Sequence, residues 1–149
     1  MTARSESGAV LEAIHPRTRV PLLLEDWDPD VQGEVDAALV CWPHGVSAPA
    51  VAALRERGVR VVDLSADFRL RDREVYEDWY GVHGAPELFG GAVYGLPELY
   101  REAIGGSDLV ANPGCYPTAA LLALAPLARA GVIADVVIDA KSGVSGAGR

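Results

Sequence analysis

The sequence is poor in cysteine, poor in basic residues and free of long apolar runs, and each shortage removes a class of function. Its 149 residues include two cysteines, Cys41 and Cys115. That is too few for a disulfide framework, and the pair lacks the Cys/His spacing of a metal site, so no metal is expected. Thirteen basic residues stand against 21 acidic ones, a formal net charge of -8, which argues against a nucleic-acid partner, since such surfaces cluster Lys and Arg to displace counterions. The acidic residues gather in LLLEDWDPDVQGEVD, read as a solvated surface segment. No apolar run approaches the roughly 18 residues of a bilayer span, and the opening MTARSESGAVLEA has no signal-peptide core, so the expected setting is cytoplasmic, with no membrane partner. Neither G-x-G-x-x-G nor G-x-x-x-x-G-K-[ST] occurs, so any nucleotide site is not complete within this chain.

What is present is an ordinary globular composition, 50% hydrophobic and 23% charged, enough for a domain with a core. Apolar runs that read as buried strands alternate with helical stretches, the pattern of a parallel sheet covered by helices. VDAALVCWP reads as a strand over Val35–Trp42 closed by Pro43. SAPAVAALRERG reads as a helix with Ser47 as N-cap and Gly58 as a left-handed C-terminal residue. VRVVDLS is the next strand, giving a βαβ unit. DLVAN reads as a third strand, PTAALLALAPLARAG as a helix apolar almost all round, and ADVVIDAKSG as a fourth strand. The intervening 66–107 region mixes charge, aromatics, glycine and proline and reads as excursions with short helices. Both ends read as cut: the opening resembles the tail of an element under way, and KSGVSGAGR stops within a glycine-rich loop.

Cys115 lies in ANPGCYPT, where Asn112, Pro113 and Gly114 form a turn and Pro117 suits a first helical turn. A thiol at the positive end of a helix dipole favours thiolate over the ordinary value of about 8.5. The turn alone leaves two readings open, an activated nucleophile or a small packed hydrophobe. For Cys41, between Val40 and Trp42 in an apolar strand, packing is the expected role. The loop SGVSGAG, over residues 142–148, can offer N–H groups to an anion or be plain surface. His15, His44 and His83 each sit beside a turn residue, with a structural or exposed role expected; Arg69 and Arg71 are available to a phosphate or carboxylate.

VANPGCYPTAALLALAP resembles the active-site signature of the N-acetyl-γ-glutamyl-phosphate reductase family, and WPHG, VDLSADFRL, YGLPELYRE and KSGVSGAGR fit that family in the same order. The resemblance covers nearly the whole chain, and PGCYPT separates it from the paralogous reductases of lysine biosynthesis. It implies an NADPH-dependent enzyme of arginine biosynthesis whose cysteine, here Cys115, attacks a small-molecule acyl phosphate, expels phosphate and holds the thioester that hydride reduces to the semialdehyde. It further implies that Pro43, His44 and Gly45, with Ser142 and Gly143, lie along NADP, and that Arg4 and Ser5 meet the adenosine 2′-phosphate.

The fold class it implies is α/β: an incomplete Rossmann-type NADP-binding domain over residues 1–113, leading into the start of an α+β catalytic and dimerisation domain, semialdehyde dehydrogenase-like, over residues 114–149. A homo-oligomer is implied for the full-length enzyme. The family's phosphate loop and its acid–base histidine fall outside this chain, so the 149 residues alone are expected to be inactive. The alternative is a non-catalytic split subunit or assembly piece that needs a partner chain.

Overall fold

The computed structural model describes residues 6–32 and 34–144. Among them, four parallel strands form one sheet in the order β1-β2-β4-β3: β1 (Ala37–Val40), β2 (Arg60–Asp63), β3 (Val93–Tyr94) and β4 (Leu109–Ala111). Six α-helices accompany them, α1 (Leu11–Ile14), α2 (Pro29–Gln32), α3 (Ser47–Glu56), α4 (Arg73–Tyr80), α5 (Pro97–Gly105) and α6 (Cys115–Arg129), with one 3-10 turn at Pro86–Leu88. This is the parallel α/β arrangement expected of a Rossmann-type domain.

The β1–α3–β2 unit forms as its pattern dictates. β1 and β2 pair in register from Ala37↔Arg60 to Val40↔Asp63. Ala48, Val51 and Leu54 repeat every three residues along α3 and are buried with Val40, Val59, Val61, Phe68, Ala85, Leu109 and Ala111 in the core. Gly58 takes φ +77°, the left-handed conformation that ends a helix without a Cβ penalty. α4 is capped locally by the Asp72 side chain, which accepts from the N–H groups of Glu74 and Val75.

Four sequence expectations are corrected. Ser47 is not the N-cap of α3; that position is Val46, and the Ser47 hydroxyl instead donates to Asp63 Oδ1 at 2.5 Å, because a buried carboxylate competes for it. Cys41 lies beyond the end of β1 and is exposed rather than packed. The segment read as a fourth strand, residues 134–143, is irregular, with Val137 95% exposed: β-propensity without a neighbouring strand leaves the ladder unmade. β3 was hidden in GGAVYG, where two residues are too short a run to show a period. It fits beside β4 because Gly95 follows it: a Cβ there would sit 2.8 Å from Val110 Cγ1. β1 has no neighbour on its outer side among the described residues, and its Leu39 is 74% exposed.

Candidate functional site at the carboxyl edge of the sheet

Parallel strands all end on one side, and there the sequence motifs meet. The Trp42–Gly45 stretch follows β1, Leu64–Arg69 follows β2, Gly95 and Leu96 follow β3, and Asn112–Gly114 follow β4. Backbone bonds tie these exits together: Leu64 N–H donates to Val40 O, Asn112 N–H to Asp63 O and Gly95 N–H to Ala111 O, at 2.8 to 2.9 Å. Four segments far apart in the chain thus become one surface, the edge at which open α/β sheets hold ligands.

At its centre is a buried polar cluster built from DLSADFRL. Asp63 and Asp67 are both fully buried, and Ser65 lies between them. The Ser65 hydroxyl donates to Asp63 Oδ2 at 2.5 Å and accepts from Asp67 N–H at 3.0 Å. Asp67 Oδ1 accepts from Gly45 N–H at 2.7 Å and from the Tyr76 hydroxyl at 2.9 Å, while Oδ2 accepts from Ala48 N–H at 3.0 Å. The N-terminus of α3 is therefore capped by a residue 19 positions downstream, whose charge also suits the positive end of that helix. Burial and the Asp67 carboxylate together push the Tyr76 hydroxyl well above the ordinary tyrosine value. His83 Nδ1 accepts from Ala85 N–H at 3.1 Å, which leaves Nε2 to donate to Asp67 O at 2.8 Å. With both ring nitrogens engaged and the side chain buried, His83 is structural.

The Cys115 turn is held from the opposite flank of the same segment. Arg69 Nε donates to Asn112 O at 2.7 Å and its Nη2 to Leu64 O at 2.6 Å. Nη1 lies against the turn, 3.2 Å from where a Cβ on Gly114 would stand. A glycine here admits the guanidinium beside the residue that precedes Cys115. Cys115 is exposed and is the first residue of α6. Gly114 holds the N-cap position with no side-chain cap, and its carbonyl accepts from Thr118 N–H and the Thr118 hydroxyl. The helix opens with its positive end uncovered by any capping side chain. Burial raises the Tyr94 hydroxyl, at the end of β3, above the ordinary tyrosine value, and the Arg69 charge partly lowers it again.

Of the residues singled out from sequence, Pro43, His44 and Gly45 lie at this edge and are exposed. Gly45 has φ +75° with open space where a Cβ would be, and the His44 ring meets Tyr80 edge to face at 5.2 Å. Ser142 and Gly143 are exposed, and no hydrogen bond among the described residues joins them to the Pro43–Gly45 loop; the Ser142 hydroxyl donates to Gly143 O. Arg4 and Ser5 lie outside the described residues. His15 is exposed beside α1. Among the described residues no group of three His, Cys, Asp or Glu side chains is placed to hold a metal, and no helix is long and apolar enough to cross a membrane. Sequence reasoning passed over Asp63, Ser65, Asp67 and Tyr76. The signal was there: Asp-x-Ser-x-Asp-x-Arg puts a polar residue at every second position immediately after an apolar strand.

Comparison with known proteins agrees with the α/β fold. Residues 1–107 match the semialdehyde dehydrogenase NAD binding domain, and residues 115–149 match the semialdehyde dehydrogenase dimerisation domain. Relatives named N-acetyl-gamma-glutamyl-phosphate reductase are 51% identical in Rhodopirellula baltica, 48% in Moorella thermoacetica and 50% in Methanopyrus kandleri. The matches cover 99%, 100% and 99% of this chain but 44%, 45% and 44% of the relatives, so the chain spans less than half their length. With its first 107 residues and its remaining segment from Cys115 both matched, the chain belongs to the semialdehyde dehydrogenase family.

Proposed function

We propose that this chain is part of an N-acetyl-γ-glutamyl-phosphate reductase, reducing an acyl phosphate to the semialdehyde with NADPH in arginine biosynthesis. The observation that carries the reading is the placement of Cys115: exposed, first in α6, with the Arg69 guanidinium against its turn, on the same sheet edge as the Pro43–Gly45 loop. The name of the relatives, N-acetyl-gamma-glutamyl-phosphate reductase, supplies the substrate.

In this reading the Cys115 sulfur attacks the acyl carbon and phosphate departs, leaving a thioester on the protein. The open end of α6 and Arg69 stabilise the anionic phosphate while it is bound and as it leaves. Bound NADPH supplies the hydride that takes the thioester to the aldehyde level. The fit for NADPH rests on Gly45: its open, left-handed turn lets a ligand approach the backbone after β1. Pro43, His44 and Gly45 hold one side of the cofactor, and Ser142, Gly143, Arg4 and Ser5 belong to the same proposal. Proton transfer is assigned to a group outside these 149 residues, since His83 has both nitrogens engaged and His15 and His44 make no hydrogen bond toward Cys115. The division after Pro113, a cytoplasmic setting and a homo-oligomer complete the reading, the last supported by the dimerisation-domain match.

A second reading, a non-catalytic split subunit or assembly piece that needs a partner chain, is favoured by α6. This helix is apolar almost all round yet none of its 15 residues is buried. The test is phosphate-dependent reduction of NADP with the semialdehyde. Turnover by the native-length protein, abolished by Cys115→Ser, supports the first reading. Turnover that appears only after mixing with a second chain supports the other.

A further inference from the structure

We propose that Asp67 is a positioning residue for the cofactor-side loop, acting through Gly45, and that the turn Leu64–Arg69 holds the two halves of the site by separate handles. This rests on the reading above, in which the Pro43–Gly45 loop meets NADPH. The Asp67 carboxylate is fully buried and takes three donors: Gly45 N–H at 2.7 Å, Ala48 N–H at 3.0 Å and the Tyr76 hydroxyl at 2.9 Å. Its own N–H is bound to Ser65 Oγ, and its carbonyl to His83 Nε2. Side chain and backbone are thus fixed at once. Gly45 carries φ +75° with nothing within 4 Å of where a Cβ would be, so no neighbouring atom packs against it on that side. The described bond that draws the Gly45 N–H inward, and so turns its other face outward, ends on Asp67.

Two residues on, Arg69 holds the other half. Its bonds go to Asn112 O, three residues before Cys115, and to Leu64 O at the end of β2, and among the described residues none goes to the Pro43–Gly45 loop. Asp67 and Arg69 occupy one short turn, so the distance between the two halves is set there, but each grips a different backbone. Loss of the Asp67 handle therefore loosens the cofactor side and leaves the thiol where it was.

The experiment uses the protein at the length its source makes it, in a Cys41→Ser background so that alkylation reports on Cys115. NADPH affinity is measured by fluorescence titration, and the rate of Cys115 alkylation by iodoacetamide is measured beside it. Asp67→Asn keeps the size of the side chain but sets an NH2 group against donors. It is expected to weaken NADPH binding about tenfold, the equivalent of one charge-assisted hydrogen bond, with the alkylation rate within about twofold of the parent. An unchanged NADPH affinity, or a parallel fall in alkylation as general loosening would give, overturns the proposal. Should Asp67→Asn fail to fold, Tyr76→Phe, which keeps the carboxylate and removes one donor, is read by the same two measurements with about a threefold loss expected. A parent that binds no NADPH overturns the functional reading and this inference with it, and that failure is distinguishable because it appears before any variant is made.

Discussion

The Arg69 guanidinium donates to the carbonyl of Asn112, three residues before Cys115 in the chain and 43 residues after Arg69. That bond, with the one to Leu64 O, fastens the turn at the end of β4 to the turn at the end of β2. A lysine cannot reproduce it, because two carbonyls are reached by two nitrogens of one planar group.

Arg69→Lys is therefore expected to cost about 2 kcal/mol in urea unfolding, the scale of one hydrogen bond to a charged group, and to lower the alkylation rate of Cys115. Wild-type stability together with wild-type alkylation in this variant refutes the brace.

The two cysteines are both exposed, yet only Cys115 opens a helix. In the reductase assay, Cys115→Ser is expected to remove activity by at least about 10³-fold, the scale of losing a nucleophile. Cys41→Ser is expected to stay within about twofold, since Cys41 is exposed just past the end of β1 and opens no helix. Comparable losses from the two changes would sink the assignment of the nucleophile.

Alkaline stability tests the buried cluster. Tyr76 and Tyr94 are both raised above the ordinary tyrosine value, Tyr76 mainly by burial and then by Asp67, Tyr94 mainly by burial. Above about pH 10 the unfolded chain has lost protons that the folded chain keeps, so stability present below pH 10 declines as pH rises. The expected slope approaches about 1.4 kcal/mol per pH unit for Tyr76, and Tyr94 adds to it in the same direction. Tyr76→Phe, compared with its parent from pH 9 to 11 in denaturant titrations, is expected to lose one tyrosine's share of that slope. An identical slope would show that Tyr76 ionises as freely folded as unfolded.

His83 makes a prediction about stability alone. Its ring bridges Asp67 O and Ala85 N–H inside the Tyr76–Phe89 aromatic cluster. His83→Ala is expected to cost about 3 kcal/mol, from two orphaned buried backbone groups and a cavity, without moving the alkylation rate of Cys115 at temperatures well below the transition. A stable variant with altered thiol reactivity would mean that His83 serves the site chemically.

Gly95 permits the close approach of β3 to β4. Gly95→Ala places a methyl 2.8 Å from Val110 Cγ1 and 3.1 Å from Ala111 O. The expected loss is about 1–3 kcal/mol, as for an overpacked core, measured as a fall in the denaturation midpoint with little change in its steepness. A neutral result would mean that Val110 can turn away without cost.

How much of this was legible in the chain differs from element to element. β1, α3, β2, β4 and α6 were each announced by apolar runs and by local punctuation such as Pro43, Gly58 and the Asn112–Gly114 turn, because the forces that begin and end such elements act within a few residues. The motifs WPHG, DLSADFRL and NPGC were legible as an ordered set, and Cys115 at a helix start was legible from its turn. Ser47 was misread because a local cap and a distant carboxylate compete for the same hydroxyl, and only the fold brings Asp63 to it. Residues 134–143 have the composition of a strand, but a strand also needs a neighbour, which composition does not record. By itself the sequence determined the alternation of strands and helices and the order of the motifs, since both rest on side-chain periodicity and short-range backbone geometry. Tertiary structure alone decided that Asp67 would cap a helix 19 residues upstream and that Arg69 would brace a turn 43 residues downstream, because those bonds exist only once parallel strands bring their exits to one edge.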